Sequence, residues 1–116
     1  RDLADALTTD RAQRVGECLA ALHGEGLFHG DPTTRNVRVD TAGERLWLVD
    51  FGLCGHSGHI EDHAMDLHVF AGSVAGMAGE GEAQEVREAA ITGYRSVGDE
   101  SVLDRLASIE ARGRYR

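Results

Sequence analysis

The chain has 116 residues, enough for one compact domain and too few for two ordinary ones. Hydrophobic residues make up 41% and aromatics only 5%, so the core has to be assembled from Leu, Val, Ile and Ala. Twenty acids against twelve bases leave a net charge of −8, which argues against nonspecific coating of nucleic acid and against a polybasic membrane surface.

Residues 8–23 read as a helix: Thr8, Thr9 or Asp10 can cap it, Val15, Leu19 and Leu22 share a face, and Gly24 and Gly26 stop it. Leu27-Phe28 is a short apolar stub leading into a polar segment, HGDPTTRN, that holds the single proline. Two β-like runs follow, Val37-Arg38-Val39 and Leu46-Trp47-Leu48-Val49, joined by the turn-forming Asp40-Thr41-Ala42-Gly43-Glu44, and they predict a hairpin. Asp50-Phe51-Gly52 comes directly after it, and a loop rich in Gly and His runs from Leu53 to Gly58. From about His59 the apolar period becomes helical, with Ile60, Ala64, Leu67, Phe70 or Ala71, and Val74 on one face. A glycine-rich connection over 76–81 leads to two more helices. One covers about 82–97 (Val86, Ala90, Tyr94, Val97), the other about 100–111 (Val102, Leu106, Ile109), with Asp99 as the second one's cap. The predicted order is helix, hairpin, three helices.

All twelve bases are arginine. With no lysine, the chain alone cannot complete a mechanism that needs a lysine nucleophile, a Schiff base or a phosphate-holding ammonium. Lysine avoidance with an acid surplus fits a high-salt cytoplasm, and a coding bias toward arginine would give the same count. Two cysteines, Cys18 and Cys54, are too few for a secreted disulfide framework and suit a reducing cytosol. No apolar run approaches the roughly 18 residues of a membrane span and no signal-peptide pattern opens the chain, so the expected location is cytoplasmic, with no membrane partner. The chain starts at Arg1 rather than Met, and we expect it to be a piece of a longer protein.

The chemistry is concentrated in two segments. His29-Gly30-Asp31-Pro32-Thr33-Thr34-Arg35-Asn36 has the form H-x-D-x-x-x-x-N just before the hairpin, and Asp50-Phe51-Gly52 stands just after it. Phosphoryl transfer needs these residue types, because catalysis there is mostly positioning plus neutralisation of a highly charged group by divalent cations. The Asp50 carboxylate can bridge Mg²⁺ to phosphates. The Asn36 amide oxygen can hold a second Mg²⁺ without adding charge, and Asp31 can orient or deprotonate the nucleophile. The hairpin brings Asn36 and Asp50 to the same end. In a chain of this length such a set arises by chance on the order of one time in a million. It resembles the protein-kinase signature. Neither the glycine-rich phosphate loop nor the strand lysine of the small lobe is present, so the chain reads as the catalytic large lobe (C-lobe) over residues 1–116, without its N-lobe. The segment from Gly52 to Asp66 is too short for the usual activation loop, and no Ala-Pro-Glu follows.

A narrower resemblance covers most of the chain. HGDPTTRN, LWLVDFGL, IEDHAMDLHVF and the terminal RGRYR resemble the small serine/threonine kinase-ATPase of the KEOPS complex, which in archaea is often fused behind the tRNA-modifying subunit. Thr33-Thr34 stand where most protein kinases carry Lys-Pro, and Pro32 replaces the commonest leucine. The resemblance implies a mainly α (α+β) fold, the large lobe of a kinase-like architecture with one β-hairpin at the active site. It implies Asp31 as catalytic aspartate, Asn36 and Asp50 as metal ligands, and ATP and Mg²⁺ as cofactors. Asp66 becomes a buried helix carboxylate accepting backbone N–H bonds from the loop around His29, and His29 a packed brace of that loop. The implied function is ATP-dependent phosphoryl transfer or ATP hydrolysis supporting threonylcarbamoyl-adenosine formation in tRNA, with KEOPS subunits as partners. Arg112, Arg114 and Arg116, a basic tail on an acidic chain, become candidate tRNA contacts, with Tyr115 able to stack on a base.

Two rival functions have different chemistry. Aminoglycoside-phosphotransferase-like enzymes also carry H-G-D-x-x-x-x-N but usually need helical insertions that a lobe this short lacks. A noncatalytic scaffold lobe would not need Asp31, Asn36 and Asp50 intact. Cys54, His56, His59 and His63 invite a zinc reading, but their spacing matches no closed site, and they read as surface histidines near a free thiol.

Overall fold

In a computed structural model, residues 1–42 and 44–114 are described, the side chains of Gly113 and Arg114 excepted. The chain begins with a 3₁₀ turn at Leu3–Asp5, followed by helix α1 (Thr9–Gly24) and strand β1 (Leu27–Phe28). A second 3₁₀ turn (Thr34–Asn36) leads into β2 (Val37–Asp40) and β3 (Arg45–Leu48), and β4 (Gly55–His56) precedes three helices, α2 (Ile60–Ala75), α3 (Glu80–Val97) and α4 (Glu100–Arg114). The mainly helical large lobe with a hairpin is therefore present. No helix among the described residues is long and apolar enough to cross a membrane.

Local chemistry explains where the helices begin. The Thr8 hydroxyl accepts the Arg11 N–H at 3.1 Å and caps α1. The Asp99 carboxylate accepts the Ser101 N–H at 2.9 Å and opens α4. At α2 the cap residue, His59, contributes no side-chain bond. Ser57 supplies it instead, accepting the His59 N–H at 3.0 Å while donating to Asp62 at 2.6 Å.

Packing centres on α1 and α3, which cross backbone to backbone. A Cβ on Gly16 would lie 2.0 Å from the Ala90 carbonyl oxygen, and one on Gly93 would lie 1.9 Å from that of Gln13. Only glycine at both positions allows this approach. Around the crossing, Val15, Leu19, Leu67, Phe70, Val74, Val86, Tyr94, Val102 and Leu106 form one core. At the far side of α2, Glu61 reaches Arg105 (3.3 Å) and Arg112 (3.5 Å) of α4.

Strands β2 and β3 pair antiparallel with Val37 opposite Leu48 and Arg38 opposite Trp47, so Val37 and Val39 face the core while Arg38 and Trp47 face outward. The N-terminal residues lie alongside β2, where the Val39 N–H donates to the Arg1 carbonyl at 2.8 Å. The tip of the hairpin is clamped from α1 by Arg11, 2.7 Å from the Glu44 carboxylate, and by Arg14, which donates to the Glu44 carbonyl. The stretch expected to be loop over 53–58 contains β4, which pairs with β1 (Leu27 opposite His56, Phe28 opposite Gly55) and returns the chain to the start of the polar segment. Two residues expected on core faces, Ile60 and Val97, are exposed, because each is the terminal residue of its helix and overhangs its neighbours.

Candidate active site

Everything between β1 and β2 is shaped by Gly30 and His29. Gly30 has φ +95°, and a Cβ there would sit 2.3 Å from the Leu53 carbonyl oxygen, so glycine is required on two counts. This turn aims the His29 side chain inward, where it is fully buried. Its Nδ1 accepts the Asp31 N–H at 3.1 Å, which forces the other nitrogen to carry the proton and donate to the Val49 carbonyl at 2.8 Å. One neutral imidazole thus bolts the backbone of Asp31 to the residue before Asp50. The Phe51 ring packs on it at 4.6 Å.

Asn36 closes the same corner. Its Nδ2 donates to the Asp31 carbonyl at 2.9 Å and to the Asp31 carboxylate at 3.2 Å, while its backbone carbonyl accepts the Val49 N–H at 2.9 Å. With Nδ2 committed to Asp31, Oδ1 is the Asn36 atom that can serve a ligand. Asp50 is exposed and takes a positive φ of 60°, a conformation that costs a non-glycine residue about 1–3 kcal/mol and that aspartate tolerates better than most. Asp31, Asn36 and Asp50 offer only hard oxygen donors, a set suited to Mg²⁺ rather than to a softer metal.

The loop is anchored from behind by α2. Asp66, 2% exposed, accepts the His29 N–H through Oδ2 (2.8 Å) and the Gly30 N–H through Oδ1 (2.9 Å). Further along α2, the Ser73 hydroxyl accepts the Thr34 N–H at 3.1 Å, and the Thr34 hydroxyl donates to the Met77 sulfur at 3.4 Å. The second threonine of the pair therefore faces the helix layer, while Arg35 projects into solvent.

One residue of this arrangement escaped the reading of the sequence. His23, 6% exposed, brings Nε2 within 2.8 Å of Asp66 Oδ2. Burial pushes its pKa below the usual histidine value, against the pull of the Asp66 carboxylate. The signal was available: His23 follows Leu19 by four residues and lies on the buried face of α1, whereas Leu22, expected on that face, is only half-buried.

Of the four residues in the zinc reading, Cys54, His56 and His59 are exposed, but His63 is buried and donates through Nε2 to the Ser57 carbonyl at 2.8 Å. Its expected surface position is corrected: α2 turns it inward, one turn before Asp66. Among the described residues no group of three or more His, Cys, Asp or Glu could hold a metal ion. Of the basic tail, Arg112 is exposed beside Glu61, while the Arg114 side chain, Tyr115 and Arg116 lie outside the described residues.

No protein-family model matches the chain. Curated proteins do. A probable bifunctional tRNA threonylcarbamoyladenosine biosynthesis protein of Haloquadratum walsbyi is 51% identical over 114 residues, covering 98% of this chain and 21% of that protein. The protein of the same description from Natronomonas pharaonis is 49% identical over 115 residues, 99% of this chain and 21% of that one. A probable serine/threonine-protein kinase BUD32 homolog of Archaeoglobus fulgidus is 36% identical over 112 residues, 96% of this chain and 55% of that protein. The chain spans about a fifth of the bifunctional relatives and about half of the kinase homolog.

Proposed function

The chain belongs to the family of the BUD32-type serine/threonine-protein kinase homologs and the bifunctional tRNA threonylcarbamoyladenosine biosynthesis proteins that it matches, and from that membership we propose that it is the catalytic large lobe of an ATP- and Mg²⁺-dependent kinase or ATPase serving this tRNA modification. The observation that carries the reading is the backbone coupling at the open end of the β2–β3 hairpin: the His29 ring ties the Asp31 N–H to the carbonyl of Val49, the residue before Asp50, while Asn36 holds Asp31 through its side chain and the Val49 N–H through its carbonyl.

The Asp50 carboxylate and Asn36 Oδ1 would hold Mg²⁺, which when bound would supply neutralisation of phosphate charge. The Asp31 carboxylate orients the attacking hydroxyl, of a serine or of water, and accepts its proton. Its Oδ2 is already held by Asn36 at 3.2 Å, so the carboxylate is aimed before substrate arrives. His29 stays out of the chemistry: both ring nitrogens are engaged with backbone groups. Because the chain contains no lysine, an ammonium to pair with the phosphates comes from outside it. The partners on this reading are the other KEOPS subunits, above all the tRNA-modifying one, and tRNA, which the arginine tail at 112–116 meets through its phosphates.

In the full-length protein, Asp31→Ala and Asp50→Ala are each expected to abolish ATP turnover. Turnover that persists in either variant removes the role assigned to that residue.

A further inference from the structure

Three buried polar side chains behind the loop take part in no step of that chemistry: His23 on α1, His63 on α2 and Tyr94 on α3. They are not independent of one another. The Tyr94 hydroxyl is 2.6 Å from His23 Nδ1, and the opposite ring nitrogen, Nε2, is 2.8 Å from Asp66 Oδ2. The His63 ring lies flat on the His23 ring, 4.2 Å away and within 2° of parallel, and is itself tied to the Ser57 carbonyl. His23 is therefore held at two edges and on one face.

The positions of the protons follow. Burial, then the Asp66 and Asp99 carboxylates, push the Tyr94 pKa far up, so the phenol keeps its proton and donates it to Nδ1. The imidazole hydrogen is then on Nε2, where it points at Asp66. Asp66 has no donor proton to offer and accepts three bonds, one from His23 and two from the His29 and Gly30 amides. A ring flip of His23 would put carbon atoms against both the phenol and the carboxylate, leaving the buried phenol without its acceptor and Asp66 with one donor fewer. The chain Tyr94, His23, Asp66, His29 thus has one low-energy arrangement, and its last member holds the Asp31 amide and the Val49 carbonyl.

We propose that Tyr94 and His63 are positioning residues of the active site: by fixing His23 at its edge and on its face, they lock Asp66 and so the loop that presents Asp31. The proposal rests on the catalytic reading of Asp31 above. Neither residue touches substrate, and Tyr94 comes from a helix that contributes nothing else to the site.

The test uses Tyr94→Phe in the full-length protein, which keeps the ring in the core and removes only the hydroxyl. Turnover of ATP is expected to fall about tenfold in kcat, the factor attached to one buried hydrogen bond, with KM for ATP unchanged. Hydrogen exchange at the His29 and Gly30 amides is expected to quicken about tenfold while the Leu106 amide of α4 is unaffected. His63→Leu, which removes the stacked ring, is expected to give the same pattern. Val86→Ala loosens the core two helical turns from Tyr94, and in it the three amides are expected to change together. If Tyr94→Phe leaves kcat and exchange unchanged, or if His29 and Gly30 only follow Leu106, the positioning role is overturned and Tyr94 is packing alone. If the unsubstituted protein turns over no ATP but Tyr94→Phe still frees His29 and Gly30 selectively, the hold on the loop stands and the catalytic reading of Asp31 falls.

Discussion

Replacing Asp66 with alanine removes the acceptor for three donors at once. The His29 N–H and the His23 Nε2–H are in fully packed surroundings, and the Gly30 N–H is partly so. Leaving a buried donor unsatisfied costs about 1–3 kcal/mol, and a partly solvated one less. Relief from holding a carboxylate away from water offsets part of the sum, so Asp66→Ala is expected to destabilise the chain by about 3–5 kcal/mol. Against the roughly 5–15 kcal/mol that keeps a domain folded, that is a large share. At about 4 °C per kcal/mol for a chain of this length, the melting temperature falls by about 12–20 °C. Asp66→Asn keeps one acceptor oxygen but turns an N–H toward a donor, and about half the loss is expected. Urea and thermal unfolding followed by circular dichroism measure both variants. A loss below about 1 kcal/mol in Asp66→Ala would show that the three bonds do not organise the loop.

Glycine positions give two more tests. Gly30→Ala meets both a positive φ and the Leu53 carbonyl oxygen at 2.3 Å, and a loss of about 3 kcal/mol or more is expected together with loss of ATP turnover in the full-length protein. Gly93→Ala drives a methyl into the Gln13 carbonyl and is expected to cost a comparable loss of stability through the α1–α3 crossing, read as a lowered melting temperature. Acid gives a third. Burial, opposed by Asp66, depresses the His23 pKa in the folded chain, so below about pH 6.5 the unfolded chain takes up a proton that the folded one refuses. Stability should decline as pH falls from about 6.5 toward the folded-state pKa, and the decline should be shallower in His23→Gln. An unchanged slope in that variant would assign the acid sensitivity to other groups.

The parts that could be read from the sequence are those whose signal is local. Four helices announce themselves through Thr8, Asp99 and the spacing of Leu67, Phe70, Val86 and Leu106, and the hairpin through its alternating runs around a turn. The residues proposed for phosphate chemistry lie within one loop and two residues past the end of β3, so their spacing survives in one dimension. What the sequence conceals depends on partners far along the chain. Strand β4 consists of Gly55 and His56, neither a good strand former, and exists because Leu27 and Phe28 stand opposite. His23 meets Asp66 43 residues away and Tyr94 71 residues away, so no window shows them together. His63 has the look of a surface histidine until α2 is packed and its phase places it beside His23. Gly16 and Gly93 look like helix-weakening residues in isolation and become necessary only where two backbones touch.

The most direct measurement on the site is paramagnetic broadening of backbone amide signals in the full-length protein as Mn²⁺·ATP is titrated in. On the proposed reading, in which Asn36 and Asp50 hold metal and Asp31 stands beside them, the amides of these three residues and of Val49 should broaden first, those of α3 and α4 should persist, and Asp50→Ala should shift the effect to much higher Mn²⁺·ATP. Broadening that spreads evenly over the acidic surface, or that spares Asp31 and Asp50, would contradict a metal–nucleotide site at the hairpin mouth.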